Sequence, residues 1–547
     1  MSDLVFSLPG PSVSRVVCVL MMAALTIAAG CGTGPTPDRS AQRARTITIA
    51  TSVFPSSINE YVAQTRSLDT AFHYFMLYMP LAAEQADFED GPATLKPRLA
   101  RSWSFSEDHR VLTFLLRDDA RWSDGTPITA DDVRFTWQAQ TSPEVGWSGA
   151  GTKAGITDVE AVDAYTVRFH YREPYANQLV DAVQGVIVPA HVWRELPFAA
   201  WRDQRAWFRQ HAVSSGPFVL ERWEDGERVV LGRNEYYYAD DMPSYDTLIL
   251  RLVPDENARI AQMRAGSANF TLVDPAGGQA VKQAPDLKLI AYDARQVVYV
   301  VWNTRREMFS DARVRRALTL AIDRQGIIDT LYFGYANLSA SPYLLRSWVY
   351  DRALEPHPYD PDAARALLAE AGWHAPGGGG VLEREGKPFR FALETNSESE
   401  LRRNIAVMIQ QQLARIGIEV SVITADFGSI IEREQQGRFD AGVVGLGIDT
   451  TWNLEGMLHS RAIGAHSFNL GGYRNGEVDR LIDEIATLPP AEAKPLHDRL
   501  QALLWQEQPL TLLYQPRRLL VVRGITNVKP NAISAYANVG HWRLEGD

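Results

Sequence analysis

The stretch that begins at residue 297 constrains the fold more than any other part of the chain. A continuous apolar run, 297–302 (VVYVVW), is followed by a segment whose apolar residues recur with helical spacing. Val314, Ala317, Leu318, Ala321 and Ile322 fall at i, i+3, i+4, i+7 and i+8, one face of a helix, and Arg313, Arg315, Arg316 and Arg324 are expected to face away from it. The pattern repeats downstream. A second helix takes Asp360 as N-cap and Pro361 at its first position, passes through Leu367 and Leu368 and stops at Gly372, ahead of a loop at 376–380. Ile405, Met408, Ile409, Leu413 and Ile416 mark a third helix, which ends at Gly417 and runs into a strand at 418–422. A strand at 441–447 and helices near 478–485 and 500–505 complete the series. Strands and helices alternating at this spacing indicate a βαβ-type lobe.

The first half reads differently, with strands at 46–50, 111–116, 166–170 and 248–252. The end of the chain, 510–514 and 519–522, returns to strand and is placed to cross back to the first lobe. With 547 residues the chain exceeds the roughly 250 to 300 at which a single core stops growing, so two or more lobes are expected. No internal repeat is visible. A net charge of −11 argues against nucleic acid as a partner, because such binding leaves a basic footprint. The 14 Trp and 20 Tyr suit a large ligand cleft, although any single ring is more often core.

At the N-terminus Arg15 precedes an apolar run, 16–30, too short to span a membrane and shaped like a signal peptide. It ends in Ala28-Ala29-Gly30-Cys31, which resembles the bacterial lipobox, in which cleavage leaves the cysteine N-terminal and lipidated. Residues 1–30 are thus expected to be a lipoprotein signal peptide, Cys31 the lipidation site and 31–45 a flexible tether, placing the exported chain on a membrane surface. Cys18, the other cysteine, leaves with the signal, so neither a disulfide nor thiolate chemistry is expected. There is also no Gly-x-Ser-x-Gly elbow, no His-Glu-x-x-His and no phosphate loop, and His459 and His466 are too far apart for one helical metal face. No enzyme activity, metal or cofactor is expected.

Residues 97–137 read PRLARSWSFSEDHRVLTFLLRDDARWSDGTPITADDVRFTW. Asp124-Gly125 is a turn signal, and Thr129 with Asp132 three residues later forms a capping box for a helix carrying Val133 and Trp137. This block resembles the signature of the family 5 extracellular solute-binding proteins, which include dipeptide-, oligopeptide- and nickel-binding proteins of ABC importers. Further blocks are similar to that family: Asp163 with Tyr165-Thr166-Val167, Val188-Pro189-Ala190-His191, Ser215-Gly216-Pro217-Phe218 through Arg233-Asn234 and Tyr237, and Asn303, Phe309, Asp311, Val314, Arg315, Ala317 and Leu318.

The resemblance implies an α/β fold, a two-lobed clamshell of the type II periplasmic-binding-protein kind with an extra small subdomain in the first lobe. Lobe I would take 46–292 plus 510–547, with the subdomain at about 80–215, and lobe II 293–509. It implies a monomer that captures a small molecule or a peptide, foremost an oligopeptide, between hinge-closing lobes and delivers it to importer permease subunits. The DGTP block would be structural.

In peptide-binding members an aspartate after a second-lobe strand pairs with the peptide α-amino group, and Asp449 stands at that place. A solvated loop aspartate is the alternative. Trp302, Trp452 and Ser57-Ile58-Asn59 lie where resembling proteins line the cleft, and core packing accounts for Trp302 equally well. Leu446 stands where the family commonly has Trp, 452–454 lacks the acidic-Pro-acidic run, and no Arg lies between Phe391 and Leu401, where some dipeptide binders hold the peptide carboxylate. These departures count against a dipeptide site and leave longer peptides, sugars, nickel complexes and opine-like conjugates open, as well as a ligand-sensing surface lipoprotein.

Overall fold

The computed structural model describes residues 45–63, 67–238, 243–377, 379–464 and 468–546, which belong to one compact unit, Ala44–Asp547. The segment expected to be a signal peptide, Cys31 and the expected tether up to residue 44 lie outside the described residues, as does His466.

A 12-stranded sheet runs through the unit. In the second half, Arg390–Asn396 pairs in parallel with both Glu419–Ala425 and Ala441–Gly447, the helices Glu400–Ala414 and Phe427–Gln435 forming the crossovers. These are the expected βαβ units. Gln296–Trp302 joins antiparallel to Ala441–Gly447. Its alternation places Val298, Val300 and Trp302 in one core and Val297, Tyr299 and Val301 in another on the opposite face.

In the first half, Thr46–Thr51 lies between Thr247–Leu252 and Phe270–Val273, both parallel to it, and Arg228–Arg233 and Phe218–Glu224 extend the edge as a meander. One strand of 13 residues, Leu510–Val522, connects the halves. Its Leu510–Tyr514 portion pairs with Gln296–Trp302, whereas Arg517–Val522 pairs with Lys288–Asp293 and 519–522 also with Phe270–Val273. Only Ala294 and Arg295 separate Lys288–Asp293 from Gln296–Trp302, so the chain passes between the halves at two neighbouring points. A separate four-stranded antiparallel sheet, in the order Ala100–Phe105, Val111–Leu116, Thr166–Tyr171, Ile156–Ala161, forms the extra subdomain.

The capping box is present: Asp132 accepts from the backbone N–H of Thr129 at 2.8 Å, and its other oxygen accepts from Ala190 at 2.9 Å. Asp124 binds His191 at 2.7 Å, so the DGTP block and the Val188–His191 block form one structural unit.

Arg315 and Arg324 correct the periodicity reading, since both are buried. Arg315 donates to the carbonyls of Phe309 (2.8 Å), Ser310 (2.9 Å) and Glu507 (2.7 Å), so that one fork satisfies carbonyls left over at the ends of two helices, Glu307–Ser310 and Pro490–Glu507. Arg324 donates to the carbonyls of Leu512 and His357. A hydropathy pattern scores both as solvent-facing because it does not see main-chain acceptors.

Candidate functional site

A cleft of about 770 Å³ opens between the first-half segments around Glu60, Tyr74, Trp147 and Asp181 and the second-half segment around Asp449. One wall is a turn of π-helix, Phe72–Leu77, closed by the Tyr78 N–H on the His73 carbonyl at 2.8 Å. The wide turn buries Phe72, His73 and Met76 and turns Tyr74, Phe75 and Tyr78 toward the cleft. The Tyr78 hydroxyl, buried, has no hydrogen-bond partner.

Glu60, Glu84, Asp181, Asp449 and Glu455 place carboxyl groups along the walls. Glu60 accepts from the Val186 N–H at 2.9 Å, and burial pushes its carboxyl up to about 7. Asp181 is pushed up to about 6 by burial, with the charge of Asp449 adding to the effect. Behind them Lys153 is buried, and its ammonium donates to the carbonyls of Asp181, Ala182 (3.3 Å) and Gln184 (2.8 Å). Burial lowers that ammonium to about 7. Glu84 ties the first half to the second, accepting from Arg295 Nη1 at 2.9 Å and from Thr450 Oγ1 at 2.6 Å.

The residues singled out from sequence fall in four places. Asp449, exposed just beyond the strand Ala441–Gly447, lies on the cleft wall, where one carboxylate oxygen accepts from the Thr451 N–H at 3.0 Å. Trp452, buried at φ +55°, borders a side cavity of about 140 Å³ instead and packs on Phe88. Trp302 is core, fully buried, with its indole N–H on Thr511 Oγ1 at 3.0 Å and its ring against Phe309 and Phe391.

Ser57, Ile58 and Asn59 are also buried and lie behind the wall. Ser57 Oγ accepts from the Asn59 N–H at 3.0 Å and the Asn59 side chain from the Tyr61 N–H at 2.9 Å, a turn that delivers the next residue, Glu60, to the cleft. Glu60, Tyr74, Glu84 and Asp181 were missed by sequence reasoning. They are scattered through the first half, and only the position of Glu60 next to the 57–59 segment offered a signal. Among the described residues no group of three or more His, Cys, Asp or Glu is placed to hold a metal.

Sheet order and cleft together define a two-lobed solute-binding protein of the clamshell type. Residues 94–464 match the family described as bacterial extracellular solute-binding proteins, family 5, middle. The chain belongs to that family. It is 30% identical over 462 residues to the oligopeptide-binding protein AppA of Bacillus subtilis (strain 168), covering 83% of this chain and 84% of that protein.

The structure of the oligopeptide-binding protein AppA from Bacillus subtilis in complex with a nonapeptide aligns with a TM-score of 0.76 at 27% identity, over 91% of this chain and 98% of that one. NikA from Brucella suis in complex with Fe(III)-EDTA shares the fold, with a TM-score of 0.81 at 21% identity over 91% of this chain and all of that one. The protein is therefore a solute-binding protein of the kind that serves ABC importers, not an enzyme. No helix among the described residues is long and apolar enough to cross a membrane.

Proposed function

We propose that the protein is the lipid-anchored binding component of an ABC importer, capturing an oligopeptide in the cleft and presenting the closed form to permease subunits. The observation that carries the peptide reading is Asp449 on the wall of a cleft of about 770 Å³ whose other carboxyls also favour an ammonium group. That volume is within the roughly 300 to 1,000 Å³ usual for ligand pockets. The similarity to an oligopeptide-binding protein supports the same choice. Lobe I comprises residues 46–292 and the C-terminal segment, lobe II the chain between. Closure turns about Ala294 and Arg295 and about 515–518, where the strand register changes partner. Anchoring is through Cys31.

Native mass spectrometry of the purified chain tests the ligand assignment: a retained peptide mass is expected, lost on mild activation and much depleted in Asp449→Ala. Retention of a sugar or metal complex overturns it. Incorporation of labelled fatty acid, abolished by Cys31→Ser, tests the anchor.

A further inference from the structure

We propose that the inner wall of the cleft is a second cation subsite, in which Glu60 and Asp181, framed by the Tyr74 and Trp147 rings, receive the ammonium or guanidinium of a basic side chain. The preferred ligand is then a peptide with positive charge on a side chain as well as at its N-terminus. This rests on the peptide reading above and narrows it to basic peptides.

The charges around the cleft do not balance. Glu60, Glu84, Asp181, Asp449 and Glu455 line it against Arg98 and Arg295. Two of the carboxylates are already committed: Glu84 is held by Arg295 at 2.9 Å, and Glu455 by Arg461 at 2.7 Å outside the cleft. Arg98 reaches the Tyr237 hydroxyl at 3.5 Å. Asp449 is assigned to the N-terminal ammonium, which leaves Glu60 and Asp181.

Lys153 acts on both through space but forms an ion pair with neither, because its three donors are directed to main-chain carbonyls. One ammonium set behind two carboxyls leaves the wall negative. Glu60 is fixed through the Val186 N–H and the Tyr74 hydroxyl, and that hydroxyl is fixed in turn by the Gly185 N–H at 2.7 Å. Asp181 is held separately, by a hydrogen bond from the Tyr175 hydroxyl, so each carboxyl is fixed by the protein's own donors before any ligand enters. Tyr74 and Trp147 line the cleft beside them, and because Lys153 Nζ already lies 5.9 Å from the Trp147 ring centroid, Tyr74 is the ring left to meet a ligand cation. Tyr78, which follows the π-helical turn and also borders the cleft, has a buried hydroxyl with no hydrogen-bond partner.

The test is calorimetry of the purified chain with Ala-Ala-Ala, Ala-Lys-Ala and Ala-Glu-Ala, and with 1,5-diaminopentane as a peptide-free dication, on the wild type, Glu60→Gln and Asp181→Asn. Ala-Lys-Ala should bind about tenfold or more tightly than Ala-Ala-Ala, as expected for a charge-assisted pair. That preference should fall to within about threefold in either variant, with a cooperative thermal unfolding transition as the check on folding. Equal affinities in the wild type, or a preference that survives both substitutions, overturn the subsite. If no peptide binds, the peptide reading fails. In that case saturable diamine binding lost in the variants upholds the subsite alone, and its absence overturns that too.

Discussion

The Phe88 ring meets the Trp452 indole edge to face, with centroids 5.5 Å apart, although the two residues come from opposite halves of the chain. Phe88 is buried among Val297, Tyr299, Tyr343 and Leu458, so a loop between two first-half strands is an integral part of a second-half core. The Trp348 N–H on the Phe88 carbonyl, 2.9 Å, and Arg346 on Glu89, 2.6 Å, fix the same loop. Phe88→Ala is expected to lower unfolding stability by about 3 to 4 kcal/mol, the cost of an emptied aromatic site. Urea denaturation measures it, and a loss under about 1 kcal/mol would mean the loop is only loosely docked.

Glu84 holds Arg295 and Thr450 together at the back of the cleft. Glu84→Ala leaves both donors without this acceptor, and a loss of about 1 to 3 kcal/mol is expected. Small-angle scattering should show a larger radius of gyration for the variant than for the wild type. An unchanged radius would show that the contact does not hold the lobes together.

Glu434 is buried beneath Ala441–Gly447 with neither carboxyl oxygen partnered. Burial pushes its carboxyl up to about 8, the nearby Glu394 pushes the same way, and Arg402 opposes both. Arg433 pairs with Glu394 at 2.7 Å, and the Tyr299 hydroxyl nearby has no partner. A carboxyl with a raised folded-state value contributes stability at low pH that is lost as pH rises, here between about 4.5 and about 8. Glu434→Gln should flatten that fall and melt higher than the wild type at pH 8. A variant that melts lower at pH 8 while keeping the slope would contradict the assignment.

Trp302→Phe separates core from site. Losing the indole N–H bond to Thr511 and part of the ring volume should destabilise by about 1 to 3 kcal/mol. Ligand affinity should be unaffected, measured on the folded variant. A tenfold loss of affinity without loss of stability would return Trp302 to the cleft.

What could be read from the sequence had a local physical signature. The parallel units of the second half were legible because helical and strand periodicities alternate there, and the Thr129–Asp132 cap because it lies within a single turn. Asp449 was singled out through the family resemblance alone, and it lies on the cleft wall. Trp302 was ambiguous because an aromatic in a fully apolar strand gives no sign of which face the cleft lies on, and both faces proved to be core. Arg315, Arg324 and Phe88 depend on acceptors or cavities far away in the chain, which no window of sequence contains. Glu60, Glu84 and Asp181 become a site only when the fold converges them, and among 66 acidic residues none stands out beforehand.

The most direct measurement titrates the purified protein with a pentapeptide and with its N-acetylated counterpart in a calorimeter. The free peptide should give saturable heat that the acetylated one lacks, and Asp449→Asn should abolish the difference. No heat from either, or equal affinity for both, would contradict capture of a peptide through its N-terminal ammonium in this cleft.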